Sequence, residues 1–160
     1  FRSCDCLYGP AAGGAMAAFF RLGLDDGLRP LVSPWRFATD AVRALEGASP
    51  GSAAEHGAAH WQARLDRTET GRAMVEAALA LTAADAPGRD GLEWLAVCLD
   101  IGGRICRALV AGWEWRLQHD VAAAERLALA VLDLRRSVDR FDPRAAADPF
   151  RGNPAVRRDR

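Results

Sequence analysis

Two long, strongly apolar stretches, Asp90 to Gly112 and Asp120 to Phe141, constrain this chain more than anything else in it. Joined by a short polar linker, they read as an antiparallel helix pair whose polar residues fall on solvent-facing stripes. In the first stretch Leu92, Leu95, Ala96, Leu99, Cys106, Leu109 and Val110 recur at helical spacing beside a second set, Trp94, Cys98, Ile101 and Ile105. Glu93, Asp100, Arg104 and Arg107 make the polar stripe, with Asp100 and Arg104 four residues apart and able to pair. A helix apolar around most of its circumference is covered on several sides, so this one is expected at the centre of the fold. Asp90 is expected to cap it, Gly102-Gly103 to let a neighbour approach closely, and Gly112 to close it. The second stretch carries Val121, Ala124, Leu127, Ala128, Val131, Leu134, Val138 and Phe141 at heptad-like spacing. Glu125, Arg126, Asp133, Arg136 and Arg140 take its other face, and a cap is expected near His119-Asp120.

The remaining segments divide the chain into three. Residues 1–33 are expected to be irregular, because Gly9-Pro10 and Gly13-Gly14 are turn chemistry and only Ala15 to Leu22 can hold a short helix. Residues 34–141 form the helical bundle. Within it Ser33-Pro34 starts a helix that Gly47 ends, with Ala38, Ala41, Val42 and Leu45 on one face. Ala53 to Ala84 continues the helical pattern, as two helices or one bent one, weakened by Gly57 and Gly71. Trp61 and Leu65 share a face there, as do Met74, Val75, Ala78 and Leu79; Asp85-Ala86-Pro87-Gly88 ends the segment. Residues 142–160 are a Pro/Arg-rich tail, expected to be disordered beyond Phe150. The fold class is therefore all-α, a small bundle of four to six helices.

Composition limits the functional classes. Formal net charge is zero, which gives no global attraction to nucleic acid or an anionic membrane. No uncharged apolar run is long enough to span a bilayer. The first residue is Phe1, suggesting a processed chain or one cut from something longer, and no secretory leader is recognisable, so cytoplasmic residence is expected. All 21 basic Lys+Arg side chains are arginine, in keeping with a GC-rich bacterial genome.

Few residues suggest chemistry. His56 and His60 stand four apart and would share a helix face, so that with His119 they could ligate zinc. Glu55 precedes His56, however, and the H-E-x-x-H order is absent, so surface histidines are the simpler reading. Cys4-Asp5-Cys6 lacks the spacing of a redox or metal motif. Cys98 and Cys106 lie about 12 Å apart along a helix, too far to bridge, and read as small buried groups. Asp25, Asp26, Asp85 and Asp90 read as turn and cap residues. Trp113 and Trp115, with Trp94 one helical face away, form either a partner-docking patch or a buried seal on the bundle's end, with the seal favoured. No catalytic residue and no cofactor is expected.

The segments Leu92-Glu93-Trp94-Leu95-Ala96-Val97-Cys98-Leu99-Asp100-Ile101-Gly102-Gly103-Arg104-Ile105-Cys106-Arg107 and Leu127-Ala128-Leu129-Ala130-Val131-Leu132-Asp133-Leu134-Arg135-Arg136 resemble the C-terminal helical region of bacterial family 20-like glycoside hydrolases (β-N-acetylhexosaminidase-like proteins), over residues 35–141. The resemblance implies a non-catalytic helical appendage acting in packing or interaction, because a catalytic (β/α)-barrel needs roughly 250 residues. Its partner would be that missing barrel or another protein chain. A free-standing ligand- or partner-binding module, with a pocket between the central helix and the Trp61 and Met74 faces, is the alternative. A metal-dependent helical enzyme using His56 and His60 is a third.

Overall fold

The computed structural model describes residues 2–24 and 52–139, and all the regular structure in them is helical. Helices α1 (Arg2–Tyr8), α2 (Pro10–Leu24), α3 (Ser52–Leu81), α4 (Arg89–Gln118) and α5 (Val121–Asp139) form a small all-α bundle, as expected. None is long and apolar enough to cross a membrane. The expected helix from Pro34 to Gly47 and the tail 142–160 lie outside the described residues.

Within the N-terminal segment expected to be irregular, residues 2–24 instead form a helical hairpin. Pro10 starts α2 with a φ suited to the first turn, and Gly9, at φ +84°, makes the turn that folds α1 back on it. Gly13 lies inside α2, not in a turn; a β-carbon there would collide with Asp5, so its small size sets the approach of the two helices. Burial repays the low propensity of these glycines: Cys4, Ala12, Met16, Ala17 and Phe19 join Val75, Ala78, Leu92, Cys98 and Leu99 in one core. The hairpin is also held at its end, where the Gly88 N–H in the α3–α4 turn donates to the Leu7 carbonyl at 3.0 Å.

α3 is one helix of 30 residues, uninterrupted at Gly57 and Gly71. Both glycines are contact sites: a β-carbon on Gly57 would lie 2.6 Å from the Trp113 indole, and one on Gly71 3.1 Å from the Phe19 ring. α3 stops at Leu81, four residues before the Asp85-Ala86-Pro87-Gly88 run expected to end it. Arg89 caps its end, donating from Nη1 to the Thr82 carbonyl at 2.6 Å and the Leu79 carbonyl at 3.4 Å.

α4 is the shaft of the bundle, packed along α3 on one side and α5 on another. Its ends differ from expectation. Gly88, without a side-chain cap, precedes its first turn, and Asp90 lies inside that turn. Gly112 does not close it; the helix runs on to Gln118 and ends at His119, in the left-handed conformation at φ 51°, whose N–H donates to the Trp115 carbonyl at 2.8 Å. Burial of Ala111 and Trp113 outweighs the roughly 1 kcal/mol that a helical glycine costs. Trp61, Leu65, Ile101, Ile105, Cys106, Leu109 and Trp113 make a second core along this half, so α4 belongs to both.

α5 begins where expected, with the Ala123 N–H donating to the Asp120 carboxylate at 2.7 Å in an N-cap. Its inward face departs from the predicted heptad. Ala123 is buried and Leu127, Ala130, Leu134 and Ser137 are half-buried, whereas Val121, Ala124, Ala128 and Val131 are exposed. The helix is apolar in so many directions that periodicity alone does not select a face. Polar contacts to α4 select it.

Candidate functional site

Those contacts converge on Asp100, at mid-length on α4. Arg72, from α3, donates through Nη1 to Asp100 Oδ1 at 2.7 Å. Arg104, one turn further along α4, donates through Nε to Oδ2 at 2.9 Å and through Nη2 to Oδ1 at 3.4 Å. Ser137, from α5, donates to Oδ2 at 3.3 Å. An ionised carboxylate accepts about four hydrogen bonds, and Asp100 has its full set. Outward from it Arg72 pairs with Glu76 at 2.7 Å, and Arg104 reaches across to Asp133 on α5.

Partial burial alone would raise the Asp100 pKa. The Arg104 hydrogen bond and charge, the Arg72 charge and the Ser137 hydroxyl outweigh it and hold the group below the usual aspartate value. The side chain is therefore a charged acceptor with no spare lone pair. It is a clamp across three helices and a poor general base.

A cleft of about 390 Å³ opens beside the clamp, between Arg72 and Glu76 on α3, Ala96, Val97, Asp100, Ile101 and Arg104 on α4, and Ser137 on α5. The expectation that the polar stripe of α4 simply faces solvent is thus corrected at Asp100. The Asp100–Arg104 pairing was legible from their spacing, but the contributions of Arg72 and Ser137, 28 and 37 residues away, were not. A single acid in the otherwise apolar middle of a helix was the available signal.

The other candidate residues do not gather into one site. Trp94 and Trp113 are roughly 28 Å apart along α4, so the three tryptophans cannot make one patch. Trp94 is half-buried against the first core; Trp113 is buried and seals the second core against Gly57, the role favoured from sequence. Trp115 is exposed, its ring edge-on to His119 at 5.8 Å. Trp61 and Met74 both pack into apolar surroundings on α3, and the cleft lies away from them, at Arg72 and Glu76.

His60 is exposed, edge-on to the Trp61 ring at 5.3 Å, and burial followed by the Arg64 charge lowers its pKa. The His56 side chain lies outside the described residues. Among the described residues no three His, Cys, Asp or Glu side chains are grouped so as to hold a metal ion. Cys98 and Cys106 are buried as expected, and burial pushes both thiols up to about 11, which leaves them protonated and unreactive. Cys4 is buried and Cys6 exposed, so that pair shares no pocket.

No protein-family model, curated protein or solved structure matches the chain.

Proposed function

We propose that this chain is a helical interaction module, non-catalytic by itself, as the glycoside-hydrolase resemblance implies, and that α5 carries its contact face. One observation carries the reading. α5 packs on α4 along a single stripe and leaves Val121, Leu129, Val131 and Leu132 between 48% and 75% exposed. Singly exposed apolar residues are ordinary, but four of them on the outward half of one helix, interleaved with Glu125, Arg135 and Arg136, make a mixed apolar and charged face suited to docking. Trp115 and Leu117, near the end of α4, are also exposed. The saturated Asp100 and the protonated thiols favour a structural role for the polar groups of the shaft.

The test is whether that face is spared from folding. Leu129→Glu, examined at low micromolar concentration, should keep full helicity and shift stability by no more than about 0.5 kcal/mol. Leu134→Glu, on the inward stripe, should unfold the chain. Unfolding by Leu129→Glu would mean the face belongs to the chain's own core, against the proposal. Hydrolysis of aryl N-acetylglucosaminides by the purified chain would refute the non-catalytic part. A stoichiometric transition metal in elemental analysis would favour the His56–His60 reading instead.

A further inference from the structure

The α5 face is complementary in charge and shape to its own reverse, and from this we infer that its partner is a second copy of the same chain, docked antiparallel through α5. The inference rests on α5 being a contact face, and it names the occupant.

At 100° per residue, Glu125, Leu129, Leu132 and Arg136 fall within an arc of about 60°, on the side of α5 away from Ala123, Leu127, Ala130 and Leu134. All four are exposed. Their 4-3-4 spacing is that of a coiled-coil seam. Reversing the order exchanges Glu125 with Arg136 and Leu129 with Leu132. A twofold axis at the midpoint between Ala130 and Val131 therefore sets each Leu129 against Leu132 of the partner subunit, and each Glu125 against Arg136 of the partner subunit. A closed, isologous pair results, with two leucine contacts at the centre and an ion pair at each end.

Charge also fixes the orientation. A parallel pair would oppose Glu125 to Glu125 and Arg136 to Arg136, which repel. Within the chain the neighbouring charges are engaged on α4, Asp133 with Arg104 and Arg126 with Glu114. Among the described residues Glu125 and Arg136 make no ion pair of their own. One helix face of this length is a small interface, so the dimer is expected to be in rapid, concentration-dependent exchange with monomer.

Analytical ultracentrifugation of the full chain from about 1 to 300 μM, a range that brackets a micromolar dissociation constant, should follow a monomer–dimer equilibrium. Glu125→Arg alone and Arg136→Glu alone should each weaken the dimer at least about tenfold, by placing like charges at both ends. The double exchange should restore it, because it rebuilds both pairs with their signs reversed. Circular dichroism of each variant checks that the fold is intact. A chain monomeric throughout the range, or a double exchange that fails to rescue well-folded single variants, overturns the dimer. If Leu129→Glu still folds normally in that case, α5 remains a contact face for a different partner, so the two failures are distinguishable.

Discussion

α4 and α5 are both largely apolar helices, and they are opposite as parts of the molecule. Leucine and alanine supply much of the apolar content of each, and both carry charged residues along their length. Yet α4 is buried at Leu92, Cys98, Leu99, Ile101, Ile105, Cys106, Leu109 and Trp113, whereas among the described side chains of α5 Ala123 is the one fully buried. The difference lies in the neighbours. α4 has α3 and α5 along it and shares the first core with the α1–α2 hairpin; among the described elements α5 packs chiefly on α4. Apolar content measures how much a helix could bury, and topology decides how much it does.

The contrast is broken most directly by cutting equal amounts of side chain from each helix. Leu99→Ala should cost about 3–5 kcal/mol, since the leucine is enclosed where both halves of the molecule meet. Leu129→Ala should cost under about 0.5 kcal/mol, and urea unfolding of both variants in dilute solution measures the gap. Equal losses would mean that α5 is covered by its own chain.

A smaller effect is expected where α3 meets α4. Gly57→Ala should destabilise by about 1–3 kcal/mol, because the added methyl meets the buried Trp113 ring. Gly103→Ala should instead gain up to about 1 kcal/mol: its new methyl would sit 3.8 Å from Thr68 Cγ2, ordinary contact, while helix propensity improves. Thermal melts of the two variants should move in opposite directions. Destabilisation by both would mean a tighter α3–α4 contact at Gly103 than these distances allow.

The link between α4 and α5 sharpens the comparison through pH. The folded-state pKa of Asp100 is depressed, so its stabilising contribution is present above the unfolded value near 4 and is lost as pH falls through the folded value. Asp100→Asn should cost about 1–3 kcal/mol at pH 7, and its deficit against the parent protein should narrow below about pH 4. A deficit independent of pH would show that the charge contributes nothing. The cap contributes less: Asp120→Ala should cost about 1 kcal/mol, read from the same denaturation curves.

Much of the architecture was legible from residue order. The apolar circumference of α4 placed it at the centre and Asp120 capped α5, because each is a local property of a few residues, whereas α3 stops four residues short of Asp85. What failed depended on contacts between distant segments. Gly13-Gly14 and Gly112 look like helix breakers until Asp5 is set against Gly13, and Trp113, the neighbour of Gly112 in α4, is buried against Gly57 of α3. The inward stripe of α5 was mistaken for a similar one because Ala123, Ala130 and Ser137 are less apolar than Val121 and Val131, and only Asp100 and Arg104 distinguish them. The clamp itself was half visible. Spacing exposed its α4 pair, while Arg72 and Ser137 arrive through tertiary folding.

The Asp100 carboxylate has one more consequence. By holding Ser137, and through Arg104 holding Asp133, it indexes the roll of α5 about its long axis, as a key fixes a wheel on its spindle. A helix turned by one residue would offer a different row of side chains to whatever lies outside. The surface this molecule displays is therefore set by an acid that takes no part in it.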